Sequence, residues 1–409
     1  MPTTPQDIVL FVLGVCAAIL LVYALVVCFE VIRTNRTLPT ARAGIAAADE
    51  NPPTEKACII IPAHNEAGAI ATLIESLKAQ DYDRMRVVFA LDRCTDDTKG
   101  VAERAIDRDP RFEIIEITSC PDDWAGKVNA AWTAFQRSPA AQNADSVLFT
   151  DADTVFDPSC LRACLALARK RRLDMLSLYC TLRNERWYER VAQTAAGFEL
   201  ARQYPLVRAN LEDHTRRRPF ANGQFMLFDA SAYRAIGGHE AVKDALLEDI
   251  AFSRVVTARG MRSGLLLADG IVACHMYDSW QQFRAGWKRI FTEAANREPK
   301  RLRRYASRAR LLGVALPLVA VAGLALGATH EETSTRIISY ALFGGALISW
   351  FVSLLLVYKS SGAKLGDVVA YPVGSWLIAG IYSEANKDLL SGTPTSWGGR
   401  QYVRQPSGK

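Results

Sequence analysis

Apolar positions fall into two regimes along the chain: long uninterrupted runs near both ends, and short runs alternating with amphipathic stretches between them. Residues 8–27 carry no charge, and about 20 apolar residues suffice for a helix to cross roughly 30 Å of hydrocarbon. A transmembrane helix is expected there. A cleaved signal peptide is the competing reading, but the only charge before the run is Asp7, and bulky Phe29, Glu30 and Val31 follow where small residues would mark cleavage. Further on, 311–329 and 337–358 are apolar and joined by the polar link 330–336, which predicts a helical hairpin. Residues 368–383 are uncharged but bounded by Asp367 and Glu384 and interrupted by Pro372 and Gly374. A helix of that length reaches about 24 Å, short of the hydrocarbon thickness, so a re-entrant or interfacial segment is expected, with a third C-terminal membrane helix as the alternative.

Between these runs the period changes. Residues 56–62 (KACIIIP) form a short apolar run of the kind a parallel sheet buries, and 67–80 then shows helical spacing at Ile70, Leu73, Ile74 and Leu77. Strand followed by helix recurs at 86–91 and 95–107, at 112–117 and 126–137, and at 146–149 and 158–172. Four such alternations predict an α/β fold, a doubly wound parallel sheet with helices on both faces. The domain plan is then an N-terminal transmembrane helix (1–30), a linker (31–55) ending at Pro52 and Pro53, an α/β domain (56–280), basic amphipathic helices (281–310), the hairpin (311–358), and a last membrane segment with a basic tail of Arg400, Arg404 and Lys409 (359–409).

Charge orients this plan. Arg33, Arg36 and Arg42 follow the first helix, and ten Lys or Arg face only Glu293 and Glu298 between 281 and 310. The positive-inside rule places 30–310 in the cytoplasm. The net charge of +6 comes largely from that juxtamembrane run, whose position beside a spanning helix favours anionic lipid headgroups over nucleic acid. Phe283, Trp287 and Phe291 recur every four residues within it, which predicts a helix with its apolar face lying in the interface. The nine cysteines are scattered without a CxxC pair and read as reduced packing thiols.

In a doubly wound sheet, ligands collect beyond the carboxyl ends of the strands. Those exits carry Ala63-His64-Asn65-Glu66, Asp92-Arg93-Cys94-Thr95-Asp96-Asp97, a path through Asp122 and Asp123 to Lys127, and Asp151-Ala152-Asp153. Neither GxGxxG nor GxxxxGK[ST] occurs at any of them, which argues against a dinucleotide site and a P-loop. Asp151 and Asp153, two apart on an extended chain, point the same way and make a hard-oxygen site suited to Mg²⁺ or Mn²⁺. The bland alternative is a solvated loop that caps the next helix. Glu248 and Asp249 open a helix running to Arg259; neighbours on a helix diverge by about 100°, so one of the two is expected to face the cleft, where a carboxylate could serve as general base. Ordinary enrichment of acids in a first helical turn is the competing account.

Taken in order, IIIPAHNEAGAI, ALDRCTDDT, FTDADT and ALLEDIAF over residues 56–292 resemble a family 2 inverting glycosyltransferase of the GT-A fold. DDWAGKVNAAW, LDMLSLYCTL, ANGQFMLFDASAYRAIGGHEAV and the FRAGWKR segment are most similar to its membrane-bound branch associated with hopanoid and carotenoid biosynthesis. The resemblance implies a GT-A type doubly wound mixed sheet with one N-terminal and two or three C-terminal membrane helices. It implies that Pro62, Ala63, His64, Glu66 and Asp92 hold the nucleobase and ribose of a nucleotide-sugar donor, with UDP expected, and that Lys127 is a donor-side basic residue. Asp151 and Asp153 match the metal motif, Asp151 facing the donor too, and Asp249, beside Glu248, matches the catalytic base. Two departures stand out: Leu91-Asp92 replaces the family's paired aspartates, and FRAGWKR replaces the QxxRW of polysaccharide synthases. Arg284 and Trp287 are thereby assigned to the donor side without individual roles. The implied activity is transfer of one sugar to a hydroxyl of a lipid, a terpenoid such as a hopanoid or carotenoid or a glycolipid, at the cytoplasmic face of the plasma membrane. A processive polysaccharide synthase and a catalytically silent nucleotide-sugar or lipid-binding protein are the alternatives.

Overall fold

The computed structural model describes residues 4–213 and 215–407; Lys409 of the expected basic tail lies outside them. Its strands are, in chain order, β1 (Ala57–Ala63), β2 (Met85–Asp92), β3 (Phe112–Ile117), β4 (Ser146–Phe149), β5 (Thr154–Phe156), β6 (Met175–Tyr179), β7 (Thr181–Leu182), β8 (Met226–Asp229), β9 (Ser263–Leu267), β10 (Val272–Cys274), β11 (Thr395–Trp397) and β12 (Arg400–Tyr402). Seven of them form one sheet in the order β3-β2-β1-β4-β8-β6-β9. The four predicted strand–helix alternations are present, and β1, β2, β3 and β4 pair in parallel.

The alternation explains why this sheet is covered on both faces. Ile59 and Ile61 of β1 pack with Leu73, Ile74 and Leu77 of the Ile70–Lys78 helix, whereas Cys58 and Ile60 pack with Val128, Ala131 and Phe135 of the Gly126–Arg137 helix. Successive side chains leave opposite faces of a strand, so a run of apolar residues is buried on both sides; each fully buried isoleucine stabilises the fold by about 1.5–3 kcal/mol. The helices predicted from 67 and 95 begin only at Ile70 and Thr98. Asn65 and Arg93 take left-handed backbone conformations (φ 57° and 50°) and hold the intervening residues as loops.

A wholly parallel sheet is not what forms. β8 runs antiparallel to both β4 and β6, giving the mixed sheet that the resemblance implies. Apolar content reports that a strand is buried and carries no information about its direction, which is why the alternation could not reveal the reversal. β5, β10 and β7 form a small second sheet beside the exit of β4.

Among the described residues four helices are long and apolar enough to cross a membrane: Pro5–Thr37, Pro299–Ala328, Thr333–Ser361 and Leu365–Ser391. The fourth departs from expectation. Pro372 falls in the first turn of its α-helical part, Tyr371–Ser391, where its missing N–H costs nothing, and the helix continues past Glu384 instead of stopping there. The charges that bounded the apolar stretch are paired: Glu384 with Arg284 at 2.6 Å and Asp388 with Lys288 at 2.5 Å. At its other end Asp367 pairs with Arg190 at 2.6 Å. Both ends therefore rest on the rest of the chain, and half of its apolar window is buried, against 28–33% for the other three.

The Trp280–Ala294 helix also departs from its predicted setting. Phe283, Trp287 and Phe291 do not face lipid; they are buried with Tyr188 and with Tyr382 of the Tyr371–Ser391 helix, whose ring lies 3.9 Å from that of Phe291. Helical spacing identifies a face that is buried, not the partner that buries it. The next helix, Pro299–Arg310, is fixed by a buried ionic junction in which Glu199 accepts from Arg202 at 3.0 Å and from Arg308 at 2.5 Å. Arg202 in turn reaches the hydroxyl of Tyr23 in the first helix at 3.2 Å.

Candidate active site

The exits of β1, β2 and β4, the residues leading into β8, and the first turn of the Glu248–Ala258 helix open on one cavity of about 900 Å³. Asp151, Asp153 and Asp249 all line it, together with Lys127 and Glu248.

Lys127 is the hub. It stands in the first turn of the Gly126–Arg137 helix, and its Nζ pairs with Asp151 Oδ1 at 2.6 Å and, closer still, with Glu248 Oε1. Burial opposes its charge, but the carboxylates of Asp151 and Glu248 outweigh that and hold its pKa above the ordinary lysine range. Both Glu248 and Asp249 line the cavity, contrary to the expectation that one would turn away. They divide the work by partner. Glu248 is almost fully buried and neutralises Lys127. Asp249 keeps its carboxylate aligned by backbone donors: Oδ2 accepts the Gly223 N–H at 2.8 Å and Oδ1 the Ile250 N–H at 2.7 Å. Burial, then the neighbouring charge of Glu248, pushes Asp249 up to about 6, with Lys127 pulling the other way.

Asp151 and Asp153 share a surplus of negative charge. Burial raises Asp151, with Lys127 opposing and Glu248 adding to the rise. Burial and the Asp151 charge lift Asp153 to about 7, and Glu66 is carried to about 8 by burial, Asp153 and Asp151. Asp153 Oδ1 is buried and accepts no hydrogen bond from any described residue. A buried, unpaired carboxylate oxygen is costly unless something positive completes it. The site therefore fits a divalent cation. Among the described residues no three His, Cys, Asp or Glu side chains form a ligand set, so a cation held by Asp151 and Asp153 would take its remaining ligands from water or a bound anion, as Mg²⁺ and Mn²⁺ do.

Pro62, Ala63, His64, Glu66 and Asp92 line the same cavity. His64 donates from Nδ1 to the Asp92 carbonyl at 2.6 Å. The Asp92 carboxylate is gripped by both arms of Arg93, at 2.8 and 2.5 Å, a bidentate pairing that fixes its plane. Trp287 lines the cavity with its Nε1 buried and unpaired. Arg284 is corrected: it is absent from the cavity wall, because its guanidinium turns outward to Glu384. From the same helix it is Arg289 that lines the cavity, as do Arg183 and Arg186, and Arg289 donates to the Leu246 carbonyl at 2.9 Å.

Sequence reasoning also missed Gly223. A Cβ there would stand 3.1 Å from Lys127 Nζ, 3.2 Å from Glu248 Oε1 and 3.5 Å from Asp249 Oδ2, so only a glycine lets the backbone N–H approach the carboxylate without crowding the lysine. Its signal was the glycine within ANGQF. Gly286 in FRAGWKR is similar, since a Cβ there would overlap the Tyr277 ring.

Comparison with known proteins gives a family match for part of the chain. Residues 58–237 match the sequence model described as Glycosyl transferase family 2. Among solved structures, the mannosyltransferase PcManGT from Pyrobaculum calidifontis in complex with GDP-Man and Mn²⁺ is similar at a TM-score of 0.46 and 17% identity, over 85% of this chain and 98% of that one. TarS 1-349 of S. aureus in complex with UDP-GlcNAc is similar at a TM-score of 0.41 and 14% identity, over 87% of this chain and 98% of that one. No curated protein matches the sequence. Residues 58–237 are thus a glycosyl transferase family 2 domain, and the chain that carries them is a glycosyltransferase.

Proposed function

We propose that this glycosyltransferase moves a sugar from a nucleotide-sugar to a lipid hydroxyl in a single inverting displacement, with Asp249 as the general base. The observation that carries the reading is the Asp249 carboxylate itself, aligned by two backbone N–H groups and pushed up to about 6 beside the Lys127–Asp151–Glu248 cluster. A base with a pKa near the working pH is largely deprotonated yet still basic enough to take a proton from an attacking hydroxyl. Lys127 offsets negative charge on the departing nucleotide. Asp151 and Asp153 would hold a Mg²⁺ or Mn²⁺, whose charge stabilises the diphosphate as it leaves. His64, Glu66 and Asp92 line the nucleoside end, where UDP is the nucleotide expected from the family resemblance.

A lipid acceptor is supported by the four apolar helices and by the apolar side of the cavity, where Leu200, Phe220, Leu247 and Ile250 lie. Nearby, Arg218, Arg254, Arg301 and Arg304 line a second cavity of about 370 Å³ in whose wall no described residue is acidic, a setting for anionic headgroups. We read the α/β domain as cytoplasmic and the Leu365–Ser391 helix as lying along it at the interface. Within the lipid class, a terpenoid such as a hopanoid or carotenoid, or a glycolipid, is the acceptor that the resemblance favours. Incubating the purified protein with labelled nucleotide-sugars and total membrane lipid, then weighing the product, tests the proposal. One added sugar on a lipid is expected; a long polymer, or no nucleotide release with any pairing, refutes it.

A further inference from the structure

Beyond the Tyr371–Ser391 helix the chain does not trail away. It turns back over the cavity as the β11–β12 hairpin, closed by Gly398 and Gly399, whose positive φ values of 54° and 70° suit a tight two-residue turn. A lone two-stranded hairpin is marginal in water. What holds this one are contacts to the groups that build the nucleotide side of the cavity. The Tyr402 hydroxyl accepts the Gly126 N–H at 3.0 Å, one residue before Lys127. Arg93, which grips Asp92, donates to the Gly398 carbonyl at 3.3 Å. Arg400 donates to the Pro121 carbonyl at 2.7 Å and to Asp122 Oδ1 at 2.8 Å, on the path from β3 to Lys127. A Cβ on Gly399 would lie 2.9 Å from His64 Nε2. The Arg289 guanidinium rests over the Trp397 ring at 4.2 Å, and Ser396, Trp397 and Gly398 themselves line the cavity.

From this placement we infer that the C-terminal hairpin is a built part of the donor site: Trp397 is a positioning residue that fixes Arg289 toward the nucleotide diphosphate, and the turn closes the nucleoside end. The inference rests on the nucleotide-sugar reading above. A long flexible arginine loses orientation without a surface to lie on, and the ring face supplies an attraction strengthened by burial. Arg289 lines the same cavity as Asp151 and Asp153.

The test uses the full-length protein in nanodiscs, with Mn²⁺ present, titrated with UDP and with GDP, alongside donor kinetics. Trp397→Ala is expected to weaken nucleoside diphosphate binding and raise the donor KM about tenfold, with kcat changed less than about threefold, and Trp397→Phe, which keeps a ring face, to recover most of the loss. Arg400→Ala, which loosens the hairpin without touching the cavity, is expected to shift the donor KM in the same direction and serves if Trp397→Ala folds poorly. Unchanged nucleotide affinity and donor KM in Trp397→Ala and Arg400→Ala overturn the inference. Equal losses in Trp397→Ala and Trp397→Phe overturn the positioning role of the ring. A wild-type protein that binds neither nucleotide sinks the donor reading itself, a result distinct from both.

Discussion

Replacing Asp249 by asparagine removes a proton acceptor while leaving side-chain volume almost unchanged. The carboxylate accepts the Gly223 N–H at 2.8 Å and the Ile250 N–H at 2.7 Å, and an amide can accept only one of these well. The orphaned buried donor costs about 1–3 kcal/mol of stability, which a melting curve reads without substrate. Loss of the base acts on the rate: general bases contribute about 10²–10⁴-fold, or about 2.7–5.5 kcal/mol at 1.36 kcal/mol per tenfold. Single-turnover transfer should therefore fall by about that factor while nucleotide affinity stays within about threefold, since a base acts on the attacking hydroxyl and not on the donor. The pH dependence adds an independent check. With Asp249 pushed up to about 6 in the free protein, the active, deprotonated form is lost as pH falls through that value, so kcat/KM rises with pH across it and levels off above. The variant's residual rate should be flat over the same window. Turnover within tenfold of wild type, with the acid limb intact, would exclude Asp249 from the reaction.

Three further outcomes are expected. Chelation should abolish transfer and added Mn²⁺ or Mg²⁺ restore it, with Asp153→Asn raising the half-saturating metal concentration by about 10–100-fold or more; an unchanged metal titration in that variant contradicts the assignment. Gly223→Ala places a methyl 3.1 Å from Lys127 Nζ and 3.2 Å from Glu248 Oε1, so these groups must shift by a few tenths of an ångström, and a loss of rate below the roughly 10²-fold of a 1 Å misplacement is expected; a folded variant with full activity would show that the close approach is dispensable. A cysteine placed at Ser407 should resist a membrane-impermeant maleimide in intact cells and react after permeabilisation, with the wild type as background; labelling from outside would put the tail on the opposite face from the domain it touches.

Much of the framework was legible because burial leaves a periodic trace. The runs at 57–63 and 85–92 and the spacing of Ile70, Leu73, Ile74 and Leu77 report strand and helix directly. Asp151, Asp153 and Asp249 were legible as candidates because carboxylates at strand exits and helix starts stand out against such a background. What stayed hidden depends on partners distant in sequence. The direction of β8 is set by its neighbours, the orientation of Arg284 by Glu384, and the burial of Phe283 and Phe291 by Tyr382 and Tyr188. Gly223 contributes only a backbone N–H, which has no side-chain signature. The WGGR turn did carry a hairpin signal, but its strands are three residues long and have no core of their own.

The reversed strand has a consequence for how such a protein can diversify. Because β8 starts where β4 ends, with Met226 opposite Phe149, the excursion that precedes it is delivered to the rim of the cavity, where Phe220, Asn222 and Gly223 lie. Changes at that rim reshape the mouth without shifting the register that holds Asp151 and Asp153. On the proposed reading, acceptor choice would follow that rim and the chemistry the carboxylates fixed at the exit of β4.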